Sequence, residues 1–493
     1  MFANKCQWEK AEFDEATAYA VGKAKPILPY VNKSSISCYF WPSKICCRKV
    51  TKILQKYYKN SWLSTENIIF LSTRKSKKME EWTLAIGDII VGVDIGSEKV
   101  TTVVGEVNNF NQIEIICSTS ARCSGIKKAQ IINEEEIAEA VSKTIKQAEE
   151  QASLKINSAY TTIPGQYVTI VQNSIWKEIK DKYAGISVKD VASSISQVKD
   201  IEIPEDKVLI DIVPSEFVLE GGEVVDDPVG SLSSAFTLNG QVILADKEYV
   251  AKLRGIFRKV GIEIDGMVPN ILAQRNVILD TNEINDNVII LDVGAGSTNI
   301  GAFEGKKFIY TNTIPIGGEN ITQDIAFVLD ISRDEAEGLK KQYGLALKSF
   351  IDNDNDIILN TFANNNMKSK SIKSSELIEI IEARIEEIFT LVNKDITSQG
   401  FKPKMNSVVL TGQGIATINK SDVAGKIILN IPVKIATGRL ISTIKPEYRA
   451  SYALVRYVAA RPFAKTVSSN IDVKSDESIF KVIMQRVKDF FYS

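Results

Sequence analysis

The sequence predicts an α/β protein made of two related half-domains, the first interrupted by an insertion. Two observations carry this. An apolar strand, the turn Asp94-Ile-Gly96-Ser97 and a second apolar strand fill Val91–Gly105, and Ile289–Phe303 repeats that plan around Asp292-Val-Gly294-Ala-Gly296-Ser297-Thr298. Each copy continues into a third strand before any helix. Asp-x-Gly therefore opens a hairpin, which argues against the strand–helix alternation of a dinucleotide fold.

Apolar periodicity predicts strands at Ile89–Val93, Val100–Val107 and Ile113–Ser120. Ile137, Val141, Ile145 and Ala148 share one face of a helix from about Glu134 to Ala152. Strands Ala159–Ile163 and Val168–Asn173 follow. Ser174 to Asp246 reads as an insertion, with a helix carrying Val188, Val191 and Ile195 and strands Lys207–Ile212, Ser215–Leu219 and Phe236–Leu244. Glu220-Gly-Gly-Glu223 and Asp226-Asp-Pro-Val-Gly230 punctuate it as turns. Helix Lys247–Val260 returns to the first half. The second half brings strands Val288–Leu291, Ile300–Phe303 and Lys307–Ile314, then helices Ile321–Leu329 and Arg333–Tyr343. Asn353–Asn366, rich in Asn and Asp, is expected to be a solvated loop. A long helix, Ser374–Ser398, precedes strand Val408–Leu410 and the turn Thr411-Gly412-Gln413-Gly414.

A chain of 493 residues exceeds one ordinary domain, and a net charge of -1 gives no case for nucleic-acid binding. No apolar run is long enough to span a bilayer or to serve as a secretory signal, so the expected compartment is the cytoplasm. The chain has no histidine. That removes the commonest general base, the histidine triads and most zinc sites. Carboxylates, amides, hydroxyls, lysines and a bound cation remain, an inventory that suits phosphate chemistry with magnesium. The six cysteines form no C-x-x-C pair and read as free thiols. Residues 1–82 are atypical: basic, without clear period, and holding Trp8, Trp41 and Trp62. They read as an extension outside the working chain, with Met79 a natural start; the competing reading is a basic arm for membrane or nucleic acid.

Gly96 lets backbone approach a phosphate, and the turn amides with the Ser97 hydroxyl can donate to its oxygens. Lys99 follows close behind. The second hairpin offers Gly294, Gly296, Ser297 and Thr298 in the same way. Asp94 and Asp292 are then the carboxylates available to magnesium, held through water. Glu337 and Lys340 lie one helical turn apart on a shared face. Such a pair bonds ribose hydroxyls and flanks a purine, or forms a solvated ion pair. Gly412, Gln413 and Gly414 follow a buried-looking strand and would let a flat base lie against backbone.

These segments, in this order, resemble the actin-like ATPase superfamily, and within it the FtsA family of bacterial cell-division proteins. The resemblance covers about Asp88 to Ser493. It implies an actin-like fold: 83–173 and 247–284 as subdomain 1A, 174–246 as subdomain 1C in place of actin 1B, and 285–464 as subdomains 2A and 2B. It also implies ATP and Mg2+ as cofactors, Gly317 and Gly318 among the nucleotide contacts, and FtsZ and further copies of the chain as partners. Departures bear on hydrolysis. Asn299 stands where many members have Asp, Gln413 interrupts a glycine run, and Val268-Pro269 replaces a Glu-Pro pair that helps position water. Gln274 is a substitute for that group. ATPase activity is thus expected to be weak or absent.

Residues 465–478 read as a polar linker. In 479–493, the side chains Ile479, Phe480, Ile483, Met484, Val487, Phe490 and Phe491 share an arc of roughly 140° on a helix, with Lys481, Arg486 and Lys488 opposite. Such a helix packs on its own domain or lies in a membrane interface; its place after a linker favours the anionic cytoplasmic membrane surface. The expected function is an ATP-binding protein that polymerises on that surface at the division septum and tethers the FtsZ ring. The alternatives are a PilM-like pilus assembly protein and a small-molecule kinase of the same superfamily.

Overall fold

A computed structural model describes residues 88–460, apart from 109–111, 181–184, 281, 364–365 and 438–442. The extension 1–82, the linker 465–478 and the amphipathic segment 479–493 with its apolar residues lie outside the described residues. That strand, β1 (Ile89–Ile95), forms an antiparallel hairpin with β2 (Lys99–Val107). β3 (Ile113–Arg122) joins β2, and a small hairpin of β4 (Ile126–Lys127) and β5 (Gln130–Ile131) follows. Helix α1 (Glu134–Ala152) starts where the Asn133 side chain accepts from the amides of Glu135 and Glu136, with three glutamates complementing the helix dipole. Its stripe Ile137, Val141, Ile145 and Ala148 is buried against Val100, Val104 and Cys117 of the sheet. β6 (Ser158–Ile163) then pairs with β1 in parallel.

The inserted subdomain comprises β7 (Val168–Glu178), α2 (Val188–Val198), β8 (Lys207–Leu219), β9 (Val224–Val225) and β10 (Ala235–Asp246). Its sheet runs β7-β10-β8-β9 over a core of its own that includes Val191, Ile195, Phe217 and Leu238. The strand expected to stop at Asn173 continues to Glu178 and pairs with β10 along its length, so all of it belongs to the insertion. The two strands expected within 207–219 are one. A bulge opposite Asn239 and Gly240 takes up the irregularity at Pro214, which cannot donate to a ladder.

Helix α3 (Lys247–Lys259), β11 (Glu263–Pro269) and α4 (Asn270–Ile278) return to the first sheet, whose order is β11-β6-β1-β2-β3. The second half repeats the hairpin with β12 (Val288–Val293), β13 (Thr298–Glu304) and β14 (Lys307–Ile314), followed by α5 (Gly318–Leu329) and α6 (Arg333–Tyr343). Asp356–Ala363 and Asn366–Lys373 form an antiparallel hairpin, β15 and β16, where a solvated loop was expected. Composition misleads there. Ile357 and Leu359 are buried while Ile358 between them is 71% exposed, a period of two that the surrounding Asn and Asp obscure. Helix α7 (Ser374–Ser398), β17 (Ser407–Thr411), α8 (Ser421–Leu429) and β18 (Val433–Ile435) complete a sheet in the order β14-β13-β12-β17-β18.

The last described helix, α9 (Arg449–Ala459), leaves the second half and packs on the first, with Leu454, Val455 and Val458 against Ile90, Val103 and Tyr160. Residues 285–464 therefore do not all belong to one half. The helix needs glycine beneath it: a Cβ on Gly92 would lie 2.8 Å from Val455 Cγ2 and 3.0 Å from the Ser451 carbonyl. Among the described residues no helix is long and apolar enough to cross a membrane. Gly92→Ala should cost about 1–3 kcal/mol by overpacking this seam. Urea unfolding would register it as a lowered midpoint; an unchanged midpoint would contradict the seating of α9 on β1.

Candidate functional site

Both hairpins turn in the same way. The Gly96 amide donates to the Lys99 carbonyl and the Gly294 amide to the Ser297 carbonyl, each at 2.9 Å. Asp94 lies opposite Thr101 and Asp292 opposite Asn299, each one pair short of its hairpin's end. The two turns meet. A Cβ on Gly296 would come within 2.8 Å of Ser97 Cβ and Oγ, so only glycine allows this approach.

The second turn is stitched from behind by backbone. The Gly318 amide donates to the Gly294 carbonyl at 2.9 Å, Glu319 to Ala295 at 2.8 Å and Gly414 to Val293 at 2.8 Å. The first amides of α5 are thereby consumed in holding the turn. Gly412 adopts φ +92, and a Cβ there would lie 2.6 Å from Asp292 Oδ1. Gly317 and Gly414 similarly abut the Gly294 carbonyl.

Thr162, which no sequence pattern marked, donates its hydroxyl to Asp94 Oδ1 at 2.6 Å. Burial and the negative charge of Asp292 outweigh that hydrogen bond and the Lys99 charge, and push the Asp94 carboxyl up to about 6. Burial also raises Asp292, although the Gln274 and Asn299 amides donate to it and the Arg449 charge favours its ionised form. Gln274 is buried, and its Nε2 lies 2.9 Å from Asp292 Oδ2 and also donates to Asn270 Oδ1. Sequence offered Gln274 as a group for water; the fold ties it to the aspartate.

The remaining candidates fall into several places. Ser97 and Gly296 line a cleft of about 1020 Å³ between the halves, whose walls include Arg122, Lys143, Glu319 and Arg333. Lys340 is buried; its ammonium pairs with Glu337 Oε2 at 2.6 Å and donates to the Gly318 carbonyl at 3.0 Å and to Thr322 at 2.7 Å. The pair thus braces the start of α5, and those contacts hold the Glu337 acid low against the opposing effect of its burial. Thr298 is fully buried and donates to the Ile316 carbonyl, which makes it part of the hairpin's foundation. Lys99 lies 3.6 Å from Glu447, just ahead of α9, and Gln413 is exposed. Nothing in local sequence connects Glu447 or Arg449 with the hairpins, because that contact spans the whole chain.

Two sheets with matching glycine hairpins turned toward each other, and an insertion in the first half, define an actin-like fold. The sequence matches the family "Cell division protein FtsA" over residues 289–453 and "SHS2 domain inserted in FTSA" over residues 165–244. The cell division protein FtsA of Bacillus subtilis is 29% identical over 370 residues, 75% of this chain and 83% of that one. FtsA of Borreliella burgdorferi is 29% identical over 377 residues, 75% of this chain and 91% of that one. Among solved structures, a PilM-PilN type IV pilus biogenesis complex covers 74% of this chain and 97% of that chain at 14% identity and a TM-score of 0.48, a likeness too low to bear on function. The chain belongs to the FtsA family of cell-division proteins, and its insertion is the SHS2 subdomain that corresponds to 1C.

The raised pKa of Asp94 has a consequence for stability. Its ordinary value is 3.8 and its value in the fold about 6, so the folded chain holds the extra proton between them. Stability from this group is full below the lower value and is lost as pH rises through the upper one. Thermal melts without divalent cation should show that decline in the wild type and a flatter profile in Asp94→Asn. Identical profiles would contradict the burial of Asp94.

Proposed function

We propose that the chain binds ATP with Mg2+ between its two hairpins, polymerises at the cytoplasmic face of the cell membrane, and tethers the FtsZ ring at the division septum. The observation that carries the nucleotide reading is the meeting of the two turns at Ser97 and Gly296, with a buried-side carboxylate on each flank. The Gly96 and Gly294 amides close their own turns, which leaves Ser97, Gly296 and Ser297 to bring turn amides and hydroxyls to bear on a polyphosphate. Asp94 and Asp292 fit a divalent cation. Each is held above the ordinary carboxylate range by burial, and a cation relieves the repulsion that raises Asp94 further. Among the described residues no group of three or more Asp, Glu or Cys side chains could hold a metal ion, so water and the nucleotide would complete its shell. When bound, the ion would neutralise phosphate charge.

Glu337 and Lys340 stand beside the same α5 terminus and would meet the nucleoside end, next to Gly412 and Gly414. Gln274 is engaged by Asp292 and Asn270 and is not free to orient water, so hydrolysis is slow and the nucleotide acts as a switch of conformation. The division role accords with relatives named as cell division proteins. Membrane attachment rests on the apolar arc of 479–493. Each basic residue there adds only about 1 kcal/mol at an anionic leaflet, so attachment gains its strength from many tails on one filament.

Two experiments test this. Filaments on lipid monolayers should require ATP and should vanish in Asp292→Ala; filaments indifferent to both would remove the switch. Truncation before Ile479 should abolish co-sedimentation with anionic vesicles, and unchanged sedimentation would remove the anchor.

A further inference from the structure

Arg333 opens α6 in the second half, and Glu98 belongs to the turn of the first hairpin in the other half. The guanidinium grips Glu319 with two bonds, Nε to Oε1 at 2.7 Å and Nη2 to Oε2 at 2.6 Å. The same Nη2 reaches Glu98 Oε1 at 3.4 Å. All three side chains line the cleft that Ser97 and Gly296 border. The ion pair therefore crosses between the halves where the two turns meet.

The two carboxylates have different roles. Glu319 and Arg333 share one half, and their paired bonds fix the guanidinium's orientation. The Glu98 contact is single and longer, and it is the one that crosses to the other half. Glu98 also adjoins Ser97, at the lip of a site for anions. An unneutralised carboxylate there would repel a polyphosphate. With side chains 49% and 55% exposed, Arg333 and Glu98 add little to folding stability. Their effect falls on the cleft's charge.

We propose that Arg333 is the cross-cleft cation of the nucleotide site, neutralising Glu98 so that a nucleoside triphosphate can approach the hairpin tips. This rests on the nucleotide reading above.

The test is calorimetric titration of magnesium ATP into the full chain as wild type, Arg333→Gln, Glu98→Gln and the double variant. Arg333→Gln should weaken binding on the order of tenfold, because the Glu98 carboxylate is left uncompensated. Glu98→Gln alone should bind within about twofold of wild type, and the double variant should recover to within about threefold. A loss in Arg333→Gln that Glu98→Gln fails to repair would mean that Arg333 acts only through Glu319, and overturns the proposal. So does the absence of any loss. If Arg333→Gln melts early, Arg333→Lys keeps the charge and must bind like wild type; weakened binding there also overturns the proposal. Wild-type protein that takes up no magnesium ATP removes the nucleotide reading itself, and this role of Arg333 with it.

Discussion

Around Asp292 the backbone of three segments comes together: the second hairpin turn, the start of α5 and the turn at Gly412–Gly414. The turn at Val293–Ser297 accepts hydrogen bonds from Gly318, Glu319 and Gly414, while Gly412 lies against the aspartate itself. A Cβ at Gly318 would fall 2.4 Å from the Gly414 Cα, and one at Gly414 would fall 2.4 Å from the Gly294 carbonyl. Such contacts exist only for glycine. They fix the second turn rigidly enough for its tip to touch the first. The cleft, the proximity of the two aspartates and the seat of α5 all follow from this backbone knot.

The same closeness has an electrostatic cost. Two carboxylates are held partly out of water and within each other's field, and the fold answers with neutral donors: Thr162 for Asp94, Gln274 and Asn299 for Asp292. Neutral donors soften the repulsion without abolishing it, and Asp94 stays near 6. In the proposed reading, this unrelieved charge is what a bound cation would relieve. A conformational switch needs that kind of imbalance, since a ligand shifts an equilibrium only by its differential affinity for the two states.

The insertion is fastened to both halves. It grows from the first, yet Gln241, fully buried on β10, pairs its side-chain amide with the backbone of Phe308 on β14, donating at 2.5 Å and accepting at 3.2 Å. Lys307 pairs with Glu216 at 2.7 Å, and Ile243 shares a core with Ile271, Phe303 and Phe308. β14 runs from this junction directly toward Pro315 and the α5 terminus. β14 thus joins the inserted subdomain to the second half at one end and to the hairpin region at the other.

The sequence by itself determined the paired hairpins, the insertion and the main helices, because these are local patterns: Asp-x-Gly turns between apolar strands, a stripe such as Ile137, Val141 and Ile145, and turn residues at fixed places. It could not tell that Asn-rich 353–366 contains a strand, because the partner strand that satisfies its backbone lies beyond it. Nor could it assign Thr162, Glu98, Arg333 or Glu447 to the site, or send α9 back to the first sheet. Those contacts join residues far apart in the chain, so no spacing encodes them. The candidate pair Glu337 and Lys340 was legible as a pair, but whether it was solvated was decided only by α5 packing against it and burying the lysine. Local periodicity reports which face of an element is apolar; which partner covers that face is a property of the assembled fold.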